Sequence, residues 1–347
     1  MKNDTVRIGI IGAGANTRRM HIPGFQRISG VEIVLVCNRS EASSRHVAEA
    51  FGIPAVAGHW REVVDSPDVD AVCIGTWPYL HAEASIAALD AGKHVLTEAR
   101  MAMNLDEASA MLDAARRHPD RVAQVVPAPM SLDFDATILE LLDAGAIGDL
   151  REVCVVQTGG QSADSSAPIT WRQDVDLSGH NVLTMGIYHE MVQRWLRREP
   201  EWVLADGAVF TPVRKTPDGT EEKSVHIPES LSILGAWPGG VRLVYHFSGV
   251  EPGRPRNEIR LNGSRGALRL DLGESVLHRA DLEQENPVEV PAEKRRGWRV
   301  EEDFIRSVRE GVPVHLTSFE DGVKYMRFTD NVHRSLESDR ARVVWDV

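Results

Sequence analysis

Residues 6–29 read as a strand, a glycine turn and a helix in immediate succession, and this succession limits the fold more than anything else in the chain. Val6–Ile11 is an apolar run rich in β-branched residues and ended by Gly12. Such a run, without polar alternation, is a strand buried on both faces. The turn is Gly12-Ala13-Gly14-Ala15-Asn16-Thr17, and a helical stretch from about Thr17 to Ser29 follows, closed by Gly30. In a G-x-G-x-x-G turn the first glycine permits the tight bend and the second lets the backbone approach a pyrophosphate. The third lets helix and strand pack closely. Thr17 holds that third place, where its Cβ should push the two elements apart while its hydroxyl offers a donor to a phosphate. The free N–H groups at the start of the helix favour an anion there.

The pattern repeats downstream. Val31–Cys37, Asp70–Ile74, Lys93–Thr97 and Val122–Val126 read as strands, and Glu41–Phe51, Tyr79–Ala91 and Asn104–Arg117 as helices. Asn104 with Glu107 three residues on resembles a capping box. Strands alternating with helices imply a parallel sheet covered on both faces, a Rossmann domain over about residues 1–125. Beyond it the texture changes. Helices are expected at Asp135–Ala144, Leu183–Leu196, Arg299–Glu310 and Ser318–Glu337, and a strand at Val153–Thr158. From Trp202 to Leu272, strand-like runs are separated by Gly, Pro, Asn and Asp. Those are hairpin signals, so residues 126–347 should form an α+β domain with a large, mostly antiparallel open sheet.

The residues after the second strand choose between dinucleotides. An Asp or Glu there would bind a ribose 2′-hydroxyl. This chain has Asn38-Arg39-Ser40. No carboxylate repels a 2′-phosphate, and Arg39 can pair with one while Ser40 donates. NADP is therefore the expected cofactor, with NAD as the alternative. Gly12, Gly14, Asn16, Thr17, Asn38, Arg39 and Ser40 are its expected ligands.

Other classes are disfavoured. The formal net charge of −12 argues against a nucleic-acid partner. Three cysteines, Cys37, Cys73 and Cys154, match neither a zinc site nor a disulfide framework. No apolar run approaches a membrane span and no leader is evident, so a cytoplasmic protein is expected. The histidines are scattered, so no metal is expected, and no G-x-S-x-G elbow suggests a serine hydrolase.

Several short motifs, in order, resemble those of the glucose-fructose oxidoreductase and inositol dehydrogenase (Gfo/Idh/MocA) family. They are Asp70–Ile74 followed by Thr76-Trp77-Pro78-Tyr79-Leu80-His81, then Ala91-Gly92-Lys93-His94-Val95-Leu96 and Gly145-Ala146-Ile147-Gly148. Asn262–Leu268 and Ser318-Phe319-Glu320-Asp321-Gly322 continue the series. The resemblance covers nearly the whole chain. It implies a small-molecule substrate, a sugar or polyol, held by a homodimer or homotetramer, and adds Thr76, Trp77, His81 and Glu98 to the cofactor contacts. Trp171 and Arg172, in the loop before the second family motif, and His180 are the substrate-binding candidates.

The resemblance breaks at the reaction centre. The family's E-K-P reads Glu98-Ala99-Arg100, so the lysine is missing. Its G-G-x-x-x-D-x-G-x-H aligns with Ser178–Tyr188, with Thr184 for the aspartate and Tyr188 for the histidine. Moving a hydride from an alcohol needs a base for the hydroxyl proton. Tyr188, with a pKa lowered by Arg100, is the expected replacement, and His189, one residue late and about 100° round the helix, is a further candidate. An NADP-dependent oxidoreductase is the first reading. A lyase or glycosidase-like enzyme that keeps the dinucleotide without net redox, and a catalytically silent NADP sensor, are the alternatives.

Overall fold

The computed structural model describes residues 5–345. Their contacts group the chain into two compact units: residues up to Pro127 with Arg299–Met326, and Ala128–Trp298 with the residues from Arg327 on.

The first unit is built on a parallel sheet of β1 (Val6–Ile11), β2 (Val31–Cys37), β3 (Ala55–Val56), β4 (Ala71–Ile74), β5 (His94–Thr97) and β6 (Ala123–Val125). The strand order is β3-β2-β1-β4-β5-β6, with every neighbouring pair parallel. The chain reverses direction of travel beside β1, the switch point at which doubly wound sheets bind ligands. The helices are α1 (Ile22–Gln26), α2 (Glu41–Phe51), α3 (Trp60–Asp65), α4 (His81–Asp90) and α5 (Leu105–Arg117). Asn104 caps α5 by accepting from the Glu107 amide at 2.9 Å, as expected, and Glu107 accepts from Met103 N at 3.0 Å. Two elements were not legible: β3 has two residues and α3 six, too short to show a period.

The expected helix from Thr17 is not uniform. Thr17–His21 is a π turn, and α1 follows. Pro23 has no N–H for an α-type bond to Arg19, so the wider turn costs no hydrogen bond there. The turn carries His21 into the interior.

The expected domain division also shifts. Arg299–Met326, assigned by sequence to the second domain, belongs to the first unit. It holds α9 (Val300–Glu310), whose buried Phe304 meets Phe25 edge-on at 6.4 Å. The Tyr325 hydroxyl accepts from Met101 N at 2.6 Å. The amphipathic pattern of α9 shows that it packs, but not on what.

The second unit holds α6 (Asp135–Asp143), β7 (Leu150–Thr158), α7 (Val175–Ser178), α8 (Met185–Leu196) and β8 (Trp202–Ala208). A hairpin follows, β9 (Val213–Lys215) with β10 (Glu222–Ser224), then β11 (Ser230–Trp237) and β12 (Val241–Ser248). The remaining strands are β13 (Asn257–Gly263), β14 (Ala267–Asp271), β15 (Val276–Ala280), β16 (Glu285–Pro287) and β17 (Val343–Val344). Nine strands form one sheet in the order β16-β15-β14-β13-β7-β12-β11-β8-β17. Only β7 and β12 pair in parallel, so the sheet is mostly antiparallel, as the hairpin signals imply. The long helix α10 (Phe319–Glu337) carries the division between the units at Met326 and Arg327. Among the described residues no helix is long and apolar enough to cross a membrane.

Candidate functional site

Gly12 sits at φ +83°, and a Cβ on it would lie 2.5 Å from Thr76 Cγ2 and 2.8 Å from the Thr76 amide nitrogen. Both the left-handed conformation and the close approach of backbone require glycine. Gly12→Ala should therefore destabilise the first unit by about 1–3 kcal/mol and weaken dinucleotide binding at least tenfold. Calorimetric titration together with a thermal unfolding scan checks both.

Thr17 in the third glycine's place is accommodated from the other side. A Cβ on Gly75 would fall 2.0 Å from Thr17 Oγ1, so the chain has moved the missing side chain to the crossing loop. The Thr17 hydroxyl is buried and donates to the Gly12 carbonyl at 3.2 Å. It braces the turn, which corrects the expectation of a phosphate donor. Asn38 is a brace as well. Its Oδ1 accepts from Ala13 N at 2.6 Å and its Nδ2 donates to Ser43 Oγ at 3.0 Å, tying the end of β2 to the glycine turn. Ser40 caps α2, accepting from Ser43 N at 3.3 Å, and Arg39 is exposed.

A cavity of about 380 Å³ opens beside this turn. It is lined by Gly12 to Gly14, by Asn38 to Ser40 with Ser43, by Gly58 to Trp60, and by Gly75 to Trp77 with Tyr79 and Leu80. Among the described residues no carboxylate belongs to the lining. The glycine cradle, the volume and the polar rim fit the adenosine half of a dinucleotide. His59 and Trp60 were missed by the sequence reading, because β3 and α3, which present them, are too short to see. Trp77 lines the same cavity and is 37% exposed. His81 is fully buried, and its ring nitrogens face the carbonyls of Arg100 (2.9 Å) and Thr76 (3.0 Å). Burial holds it toward the neutral form. Its part is to fix the Thr76 turn and the backbone after β5.

Glu98, at the end of β5, faces inward. Its Oε1 accepts from Asn16 Nδ2 at 2.5 Å and lies 3.1 Å from His21 Nε2. The other ring nitrogen of His21 lies 2.5 Å from Glu301 Oε1 on α9. His21 is completely buried. Desolvation alone would lower its pKa, but the two carboxylates outweigh it and raise the value to about 9. His21 is thus a buried cation between two carboxylates, and the same contacts hold Glu98 below its usual range although burial opposes this. Asn16 and Glu98, expected at the cofactor, belong to this internal network. The Ala99-Arg100 peptide is cis, and the Arg100 side chain is buried in the first unit.

In the second unit, α8 is buried almost all round. Tyr188 is 2% exposed, packs edge-on against Phe247 and donates to Asn257 Oδ1. Burial pushes its pKa up, with Asn257 only partly offsetting this, against the expected lowering. His189 lies in the core, stacked 3.6 Å from Phe328, and burial pushes its pKa down to about 3. That corrects its candidacy as an acid or base near neutral pH. Thr184 donates to Gln157 Oε1 at 2.8 Å.

His180 differs from these. It is partly exposed, its Nδ1 lies 2.8 Å from Asp330 Oδ1, and its ring stacks 3.6 Å from His333. A carboxylate can only accept, so Nδ1 carries a proton, and the tautomer of the neutral ring is the one with its lone pair on Nε2. Burial first, then the neighbouring His180, lowers the pKa of His333. Sequence reasoning named His180 but missed Asp330 and His333, whose spacing of three on α10 was the available signal.

The Trp171-Arg172 pair, with the guanidinium 4.2 Å over the ring, lies in a loop held by a buried ion pair. Arg214 bonds Glu229 Oε1 at 2.9 Å and the carbonyls of Ser162, Asp164 and Ala167 at 2.8–3.0 Å. Among the described residues no group of three or more His, Cys, Asp or Glu is arranged to hold a metal.

Residues 6–125 match the Gfo/Idh/MocA oxidoreductase family with its NAD-binding Rossmann fold, and residues 136–269 match that family's C-terminal domain. A dTDP-3,4-didehydro-2,6-dideoxy-alpha-D-glucose 3-reductase of Saccharopolyspora spinosa is 30% identical over 271 residues, 77% of this chain and 74% of that one. An uncharacterized oxidoreductase of Rhizobium meliloti is 31% identical over 203 residues, which span 58% of this chain and 59% of that relative's length. Among solved structures, a levoglucosan dehydrogenase in complex with NADH and levoglucosan superposes with a TM-score of 0.86 at 21% identity, covering 98% of this chain and 99% of that one. With both halves matched in order on this two-unit fold, the chain belongs to the Gfo/Idh/MocA family of oxidoreductases.

Proposed function

We propose that this chain is an NADP-preferring oxidoreductase that interconverts a hydroxyl and a carbonyl on a carbohydrate or polyol. The observation that carries the reading is the cavity beside the glycine turn, whose lining includes Arg39 and Ser40 and, among the described residues, no carboxylate. The reaction class is supported by the relatives, whose names include a reductase of a dTDP-linked keto sugar.

The residues fit the cofactor: Gly12 and Gly14 let the backbone close on the pyrophosphate, and Arg39 and Ser40 take the 2′-phosphate. The nicotinamide, when bound, would supply the hydride chemistry. What the chain itself must supply is a route for the hydroxyl proton. Ala99 cannot, Thr184 is a poor base, and Tyr188 is held protonated by burial. His180 is the group fitted to the task. Asp330 holds its Nδ1–H, so Nε2 takes the proton in oxidation and returns it in reduction. The acid/base role passes from Tyr188 and His189 to His180, and Trp171 and Arg172 bind substrate.

The test of cofactor choice is Arg39→Ala. NADPH should bind about tenfold to a hundredfold more weakly and NADH within about twofold, read by calorimetry. Equal losses for both cofactors would remove the 2′-phosphate reading.

A further inference from the structure

We propose that His59 is a second ligand of the ribose 2′-phosphate, so that choice of NADP over NAD rests on a pair of donors, Arg39 and His59. The proposal rests on the NADP reading above and names a residue that reading does not contain.

Register carries the argument. Strands β2 and β3 are parallel neighbours, with Val36 opposite Val56. Arg39 lies three residues past Val36 and His59 three past Val56, so both leave the sheet at the same end and to the same depth. Ala57 N donates to Val36 O at 3.0 Å, which keeps the two exits together. Both residues line the same cavity.

The chemistry of the ring then follows from its own hydrogen bond. His59 is the N-cap of α3, and its Nδ1 accepts from Arg61 N at 3.2 Å. Accepting there places the ring proton on Nε2. Among the described residues Nε2 has no hydrogen-bond partner, and the side chain is exposed. With Nδ1 accepting, Nε2–H is a donor, which a phosphate oxygen can accept. Trp60 backs the ring, with centroids 5.5 Å apart, and Arg61 lies 4.4 Å over the other aromatic. Arg61 also pairs with Glu83 at 2.5 Å, so the wall that carries His59 is braced from outside. A ribose with a free 2′-hydroxyl has no anion to bring Arg39 and His59 together. A 2′-phosphate has three oxygens and can accept from both.

The test is calorimetric titration of the full-length protein with NADPH, NADH, 2′-AMP and 5′-AMP. Two variants are needed. His59→Asn keeps an N-cap for α3 but is too short to reach the phosphate, and His59→Phe keeps a ring without a donor. Both should bind NADPH and 2′-AMP about tenfold more weakly, with NADH and 5′-AMP unchanged. Three results would overturn the proposal. Unchanged NADPH affinity in both variants, while Arg39→Ala loses it, leaves the NADP reading standing and removes His59. Equal losses for NADPH and NADH make His59 a wall for the adenosine only. A wild-type protein that binds NADH as tightly as NADPH removes both readings together.

Discussion

His21→Leu should cost about 3–5 kcal/mol of stability, the range seen when one partner of a buried ion pair is removed. His21 is completely buried, with Glu98 on one ring nitrogen and Glu301 on the other. Its removal leaves the buried Glu301 and the partly buried Glu98 without the His21 charge between them. The same network predicts a pH dependence. The folded-state pKa is raised to about 9 from an ordinary value of 6.5. Its stabilisation is therefore fully present below about pH 6.5 and falls away as the pH rises through about 9. Urea midpoints measured between pH 6 and pH 10 should drop over that window in the wild type. The drop should be smaller in His21→Leu. A flat wild-type profile would mean that His21 is neutral and that one carboxylate carries the proton instead.

The second large effect is catalytic. His180→Gln should lower kcat by about 10²–10⁴ while leaving NADPH affinity within about twofold, because it removes the group that takes the hydroxyl proton. Asp330→Asn should also lower kcat. An amide at 330 can present an N–H to Nδ1, which moves the proton to Nε2 and removes the base. Tyr188→Phe is the contrast. It breaks only the bond to Asn257, so it should cost about 1 kcal/mol of stability and change kcat less than fivefold. If Tyr188→Phe abolishes turnover and His180→Gln does not, the assignment of the acid/base is wrong.

Much of the first unit was legible because its signals are local. A β-branched run, a glycine turn and a capped helix lie within a few residues of each other, and the alternation repeats. What was not legible depends on distant partners. The charge of His21 needs Glu301, 280 positions away. The tolerance of Thr17 needs the absence of a side chain at Gly75. The orientation of His180 needs Asp330, 150 positions away. Tyr188 was misjudged for a related reason. Its motif position suggested a side chain facing substrate, but α8 is enclosed on nearly every side, so spacing along the helix could not separate a core residue from a lining one. Asn16 was placed at the cofactor by the glycine turn and Glu98 by the family resemblance, and the π turn brings His21 to within hydrogen-bond reach of Glu98, which also holds Asn16.

On the proposed reading this fold still transfers hydride from a nicotinamide to a carbohydrate carbonyl without the family's lysine, aspartate and histidine. The direct measurement is the nicotinamide absorbance of the protein saturated with NADPH, followed on addition of a panel of keto sugars, nucleotide-linked keto sugars and cyclitol ketones. Loss of the reduced-nicotinamide band with at least one of them, abolished in His180→Gln, is the predicted result. Tight NADPH binding with a band unchanged across the panel would contradict it.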